Sequence, residues 1–263
     1  MFTLHNGDCL EGLQELQPES VDMIITDPPY STPVVTAFGR KKVKNLGDLS
    51  LQEYYFRSLK TEFERILKPD GRVFIFCDDK YYPILFGVFY EWQSQSLIVW
   101  DKGKIGMGNP IRKQHELIAY CNRTEYEYNR TEGITHYPSI LKYKPVPTSE
   151  RVHGAQKPVE LVRDLILGFS NSGDVILDCF MGSGTSGVAS KITGRSFIGY
   201  EINAEFYSIA EKRISEAVLE QRYLTPSNNR LHMDAGDSPR QPSQSILEGF
   251  TPAEQGTTPA PRQ

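Results

Sequence analysis

Asp27 is followed by Pro28, Pro29 and Tyr30 and preceded by the apolar run "VDMIIT". A buried segment therefore ends in a carboxylate fixed by two residues that cannot donate to a sheet ladder. Far downstream, Gly182, Gly184 and Gly187 stand at GxGxxG spacing between the apolar run "DVILDCF" and the small-residue stretch "TSGVASKIT". Gly194 closes that stretch, and Glu201 ends the next apolar run, "RSFIGYE". Glycines at a strand-to-helix turn let the backbone approach a ligand, the helix N-terminus favours negative charge, and an acid at the following strand end accepts hydrogen bonds from ribose hydroxyls. The second constellation predicts a nucleoside-type cofactor.

Two other chemistries compete for these residues. A nicotinamide dehydrogenase uses two mononucleotide-binding halves, yet after Glu201 the pattern holds one further helix and then a polar tail. The remaining strands must come from earlier in the chain, so the glycine turn belongs late in a reordered sheet. The phosphate-cradling GxxxxGK[ST] loop is absent, which disfavours an ATPase. His115, His136 and His153 stand singly and suit packing or surface roles.

The elements that must position both turns follow from periodicity. Strands are expected at "FTLHN" (2–6), "DMIIT" (22–26), "RVFIFC" (72–77), "SLIVW" (96–100), "ELIAYC" (116–121), "DVILDCF" (174–180) and "RSFIGYE" (195–201). Amphipathic helices are expected over 51–67, opened by Ser50 and Glu53 at capping-box spacing; from Pro158 as first helical residue; and over 204–222, with Asn203 as N-cap and Phe206, Ala210, Ile214 and Val218 on one face. This alternation predicts an α/β fold, a seven-stranded, mostly parallel sheet with helices on both faces. Residues 31–49 and 122–152 lack sustained periodicity and read as long functional loops. One domain is expected over 1–225, and the Ser-, Pro- and Gln-rich segment 226–263 reads as a disordered tail.

Composition narrows the class. With 263 residues, 39% hydrophobic, the chain has material for one large core, and a formal net charge of −4 supplies no global basic field. A polyanionic partner must then be held by a local patch. The four cysteines, Cys9, Cys77, Cys121 and Cys179, form no CxxC pair and have no histidine at zinc spacing, so they read as reduced, mostly buried thiols and no metal is expected. The start "MFTLHNGDCL" is unlike a signal peptide, and no run approaches the roughly 18 apolar residues of a membrane span. The expectation is a soluble, cytoplasmic protein.

"DPPY" at 27–30 and "FMGSG" at 180–184 together resemble the DNA amino-methyltransferases, which move a methyl group from S-adenosylmethionine to an exocyclic amine. The order, catalytic motif before cofactor motif, is that of the family's beta class. "NGDCLEGL" (6–13), "HGAQKPVELVRDLI" (153–166), "GYEIN" (199–203) and "FYSIAEKRI" (206–214) extend the resemblance from about residue 4 to 218. Where relatives usually read His-Pro, this chain has His153 followed by Gly154. The resemblance implies a Rossmann-like methyltransferase sheet in which "FTLHN" lies beside "RSFIGYE" and "DMIIT" beside "DVILDCF".

It also implies roles. Asp27 and the Pro28 carbonyl would accept the two hydrogens of a target amine, Pro29 would stiffen the turn, and Tyr30 would stack on a base flipped out of duplex DNA. Asp8 and Cys9 would lie at the cofactor's adenine, with Phe180 against the ring. Gly182, Ser183, Gly184 and Thr185 would border the methionine end, Asp178 would attract the ammonium, Lys157 would neighbour the carboxylate, and Glu201 with Asn203 would meet the ribose. The basic run Arg40, Lys41, Lys42 and Lys44, extended by Arg112 and Lys113 and by Lys142 and Lys144, is the expected phosphate-contacting patch. Target recognition is expected in 31–49 and 122–152, and a homodimer is a possible assembly. An acid at position 27 favours adenine N6; cytosine N4 is the alternative. Methylation of cytosine carbon-5 needs a Pro-Cys dipeptide, which this sequence lacks.

Overall fold

The structure is a computed structural model that describes residues 1–29, 49–106, 110–124, 137–152 and 156–223. Its elements are β1 (Phe2–Asn6), α1 (Cys9–Leu13), β2 (Val21–Thr26), α2 (Leu49–Ile66), β3 (Leu67–Cys77), α3 (Tyr82–Val88), β4 (Ser94–Asp101), β5 (His115–Asn122), β6 (Ile140–Lys142), α4 (Val159–Phe169), β7 (Val175–Asp178), α5 (Thr185–Ile192), β8 (Ser196–Glu201) and α6 (Ala204–Glu216), followed by a 3-10 turn, Gln221–Tyr223. The strands form one sheet in the order β1-β8-β7-β2-β3-β5-β4-β6. Both expected pairings are present and parallel. β1 lies against β8 from Phe2↔Phe197 to Asn6↔Glu201, and β2 lies against β7 at Met23↔Ile176 and Ile24↔Leu177.

The run "VDMIIT" has no polar alternation because both faces of β2 are covered. Ile24 joins Val73, Ile75, Leu13, Phe56, Phe63 and Leu85 on the face carrying α1, α2 and α3. Met23 and Ile25 join Phe74, Phe76, Leu161, Leu165, Ala189, Ala210 and Ile214 on the face carrying α4, α5 and α6. From β7 the chain crosses by α5 to β8 in one direction, and from β2 it crosses by α2 to β3 in the other. The crevice where neighbouring strands diverge in this way is where open α/β sheets hold their ligands.

Several expectations need correction. The sheet has eight strands and not seven. The extra one, β6, lies inside the segment expected to be loop and pairs in parallel with β4 at Val99↔Ile140 and Trp100↔Leu141. Three residues give no readable period. Pro158 is the N-cap of α4, extended at φ −61 and ψ 135, and not its first helical residue. A proline's fixed φ serves either position, so its type could not separate them. α6 stops at Glu216, with Ala217 extended, which leaves Val218 74% exposed and off the buried face. Ser50 lies within α2, which already includes Leu49. β5 alone among the described strands runs against its neighbours, antiparallel to both β3 and β4. The expected tail, 226–263, lies outside the described residues. Among the described residues no helix is long and apolar enough to cross a membrane.

Candidate active site

The two sequence turns meet at the β2–β7 junction. Thr26, the last residue of β2, donates from Oγ1 to Asp178 Oδ1 at 2.8 Å. Asp178 Oδ1 also accepts the Phe180 backbone N–H at 3.0 Å, and Oδ2 accepts the Ser186 hydroxyl at 2.6 Å. One carboxylate thereby ties the strand leading to Asp27, the glycine turn and the first turn of α5 together. Burial outweighs these three donors and raises the Asp178 carboxyl to about 6. Beyond Thr26, Asp27 is half-buried, Pro28 buried and Pro29 exposed, while Tyr30 lies outside the described residues.

Asp27 is held from the other side by Lys157. Lys157 Nζ donates to Asp27 Oδ2, stands 3.3 Å from Glu116 Oε2 and lies 5.1 Å from the centre of the Phe76 ring. Glu116 Oε1 in turn accepts from Lys102 Nζ at 2.6 Å. The charges alternate along Asp27, Lys157, Glu116 and Lys102. Burial opposes the charge on Lys157, but the two carboxylates outweigh it and raise its pKa above the ordinary lysine value. For Glu116 burial favours the neutral acid, and Lys157 with Lys102 reverses that, so its pKa falls. Lys157 is thus no solvated lysine, since 8% of it is exposed. Thr185 Oγ1 donates to its backbone carbonyl at 3.4 Å, linking it to the start of α5.

The carboxyl ends of β7 and β8 carry most of the expected cofactor residues. Gly182 and Gly184 sit at φ +50 and +80, conformations that favour glycine. Glu201 Oε2 accepts the Gly182 N–H at 3.0 Å and Oε1 accepts the Asn203 N–H at 2.8 Å. A carboxylate has about four acceptor sites, so Glu201 retains capacity for a diol and Asp178 for one ammonium hydrogen. Asp8 is exposed and caps α1 through Leu10 N at 2.8 Å. The Phe180 ring is half-buried, 6.2 Å from that of Tyr55.

Other expected cofactor residues have their side chains turned to structural work. Cys9 is 4% exposed with Sγ 3.5 Å from the Tyr55 hydroxyl. Ser183 Oγ accepts from Arg213 at 3.0 Å, and Asn203 Oδ1 accepts from Glu205 N and Phe206 N at the start of α6. A Cβ on Gly184 would stand 2.9 Å from Ala210 Cβ, so α6 packs against this glycine.

Of the expected phosphate contacts, Arg40, Lys41, Lys42 and Lys44 lie outside the described residues. Arg112 and Lys113 are exposed on the β4–β5 connection, and Lys113 pairs with Asp79. Because β5 pairs Leu117 with Cys77, at the carboxyl end of β3, this connection rises from the same sheet edge as Asp27. Lys142 and Lys144 are exposed on and beside β6. Glu116, Lys102, Thr26 and Ser186 are the site residues that sequence reasoning missed. The available signal was Glu116 itself, an acid opening an apolar run as Asp27 closes one.

Comparison with known proteins agrees with this fold. DNA adenine methyltransferase YhdJ from Escherichia coli (strain K12) is 28% identical over 253 residues, with 82% of this chain and 83% of YhdJ covered. Among solved structures, the M1.HpyAVI complex with SAM superposes with a TM-score of 0.64 at 23% identity, covering 81% of this chain and 99% of that one. The cytosine-N4-specific PvuII DNA methyltransferase gives a TM-score of 0.68 at 17% identity, covering 88% and 92%. At these identities the solved structures speak for the fold. The family model described as DNA methylase matches residues 21–212, from the first residue of β2 into α6, and the chain accordingly belongs to the S-adenosylmethionine-dependent DNA amino-methyltransferases of the N6/N4 type.

Proposed function

We propose that this chain methylates the exocyclic N6 of adenine in duplex DNA, on a base turned out of the helix. The observation that carries this reading is the position of Asp27, an ionisable acceptor one residue beyond Thr26, whose hydroxyl bonds the buried acid of the cofactor turn. An adenine amine is a poor nucleophile because its lone pair is delocalised into the ring. Asp27 and the Pro28 carbonyl accept its two hydrogens, which draws the nitrogen toward tetrahedral geometry and aims the lone pair. Two consecutive prolines stiffen the turn that holds both acceptors, and Tyr30 supplies the stacking face. When bound, S-adenosylmethionine would supply an electrophilic methyl group, its bond to sulfur breaking with the electron pair left on sulfur as the N–C bond forms, and the nitrogen would release one of its two protons to water past the Asp27 carboxylate. Asp178 holds the ammonium and Glu201 the ribose, keeping the methyl aimed at the β2–β7 crevice.

The choice of adenine is supported by the acid at position 27 and by the similarity to YhdJ, an adenine methyltransferase by name. The fold does not decide it, because the cytosine-N4-specific PvuII enzyme shares that fold. Phosphates are contacted from the β4–β5 connection by Arg112 and its neighbours, together with Arg40, Lys41, Lys42 and Lys44. Recognition lies in 31–49 and 122–152. The described part of 122–152 adds only a three-residue strand, which supports a homodimer sharing one target. The cytoplasm is the compartment that fits these roles.

The test is incubation with labelled S-adenosylmethionine and duplex DNA, digestion to nucleosides and identification of the labelled one. Label in N6-methyldeoxyadenosine is expected. Label in N4-methyldeoxycytidine would transfer the reading to cytosine, and absence of label would overturn it. Asp27→Ala is expected to abolish turnover while cofactor affinity stays within about threefold.

A further inference from the structure

We infer that Glu116, backed by Lys102, is a positioning residue for methyl transfer: it shares the Lys157 ammonium with Asp27 and so keeps the Asp27 carboxylate aimed. The inference rests on the reading of Asp27 as amine acceptor.

The geometry needs such a residue. Lys157 has only 9% of its side chain exposed, and its Nζ faces two carboxylates and the Phe76 ring. At that exposure an ammonium with one counter-charge is costly. If Lys157 lost its proton, Asp27 would lose the charge beside it. If it closed wholly on Asp27, that carboxylate would be spent on the lysine and not on the amine. Glu116 Oε2, 3.3 Å away, opposes both outcomes. Lys102 fixes Glu116 through Oε1 at 2.6 Å, and its own backbone N–H bonds the Gln114 carbonyl at 2.8 Å, pinning the base of the β4–β5 connection.

Glu116 therefore acts through Lys157 and touches no reacting atom. It reaches this edge because β5 runs against its neighbours, so the strand's first residues, and not its last, lie beside Trp100 and Asp101.

Two carboxylates face Lys157, Asp27 after β2 and Glu116 on β5; Lys102 after β4 pairs with Glu116, and Cys77 at the end of β3 and Asp178 at the end of β7 feel the charge on Asp27. Burial pushes the Cys77 thiol up to about 12, and Asp178 titrates at about 6. The two carboxylates hold Lys157 above the ordinary lysine value, so the wild-type ammonium persists across the pH range in which duplex DNA stays paired, and an alkaline limb of kcat inside that range reports its loss. Glu116 favours the charged form, so its loss moves that limb to lower pH.

The experiment uses the full chain with S-adenosylmethionine and duplex DNA. Glu116→Gln is expected to lower kcat at pH 8 by about 10- to 100-fold. Its alkaline limb should fall by about one pH unit or more, and cofactor affinity should stay within about threefold. Glu116→Asp should recover part of kcat, and Lys102→Met, which unpins Glu116 but removes a cation from its far side, should lower kcat by less and leave the limb no lower than in the wild type. If Glu116→Gln does not fold, Lys102→Met carries the test. A wild-type kcat and limb in the folded variants would overturn the inference. So would a fall in kcat accompanied by equal losses of cofactor binding and melting temperature, the mark of a merely structural role. Asp27→Ala run in parallel separates the two readings: an active Asp27→Ala defeats the proposed function, whereas an inactive one beside an unaffected Glu116→Gln defeats only this inference.

Discussion

Thr26 and Asp178, 152 positions apart in sequence, are joined by a buried hydrogen bond of 2.8 Å. The Asp27 turn and the glycine turn are therefore one mechanical unit, and a change at either is expected to register at the other.

Thr26→Val keeps the shape and removes the donor. Loss of one hydrogen bond to a buried charged group should cost about 1–3 kcal/mol at pH 8, where Asp178 is ionised. The penalty should shrink at pH 5, where the carboxyl is protonated. Urea unfolding at both pH values measures it, and an equal loss at both would count against the assignment.

The raised pKa of Asp178 sets two opposed pH dependences. Its folded value, about 6, lies above the usual carboxylate range, so the folded chain binds that proton more tightly than the unfolded chain. The stability this confers is present below the unfolded pKa and is lost as pH rises through about 6. With Asp178 in its proposed role, cofactor affinity runs the other way, because an ammonium prefers the carboxylate. Below pH 6 affinity should fall by about tenfold per pH unit. Asp178→Asn should flatten both profiles, which calorimetric titration and unfolding from pH 5 to 8 would reveal.

Gly184→Ala tests the close packing of the glycine turn on α6. The added Cβ would stand 2.9 Å from Ala210 Cβ at a φ of +80, and strain and overlap together should cost about 1–3 kcal/mol. Adding Ala210→Gly should remove the Cβ contact but leave Ala210 Cα at 3.0 Å, Ile214 Cδ1 at 3.1 Å and the backbone strain, so the double variant should recover only part of the lost stability.

The β4–β5 connection can be read by salt. Removing a side chain that neutralises one phosphate should reduce the salt slope of DNA binding by about 0.9. Arg112→Ala is expected to do so. Lys113→Ala should do less, because that ammonium is engaged by Asp79. Equal slopes for wild type and Arg112→Ala would remove Arg112 from the interface.

Much of this architecture was legible in the chain itself. "VDMIIT" before two prolines and "VILD" before a glycine turn are continuous apolar runs because parallel strands are covered on both faces, and proline and glycine leave a local signature wherever they are placed. That placed Asp27 and Glu201 at strand ends; Asp178 falls inside the expected strand 174–180, and the structure ends β7 at it. Short-range patterns also located the helix cores, though not their ends.

What the sequence left open was decided between distant segments. The eighth strand is too short to carry a period and exists through its pairing with β4. The reversed course of β5 brings Glu116 to the catalytic edge, and nothing in "QHELIAYC" states a direction. Lys157 is expected beside a cofactor carboxylate, and the fold encloses it between two carboxylates of the chain itself. Apolar periodicity is written locally because each element must bury its own face. Charge pairing depends on which elements become neighbours, and only the closed sheet settles that.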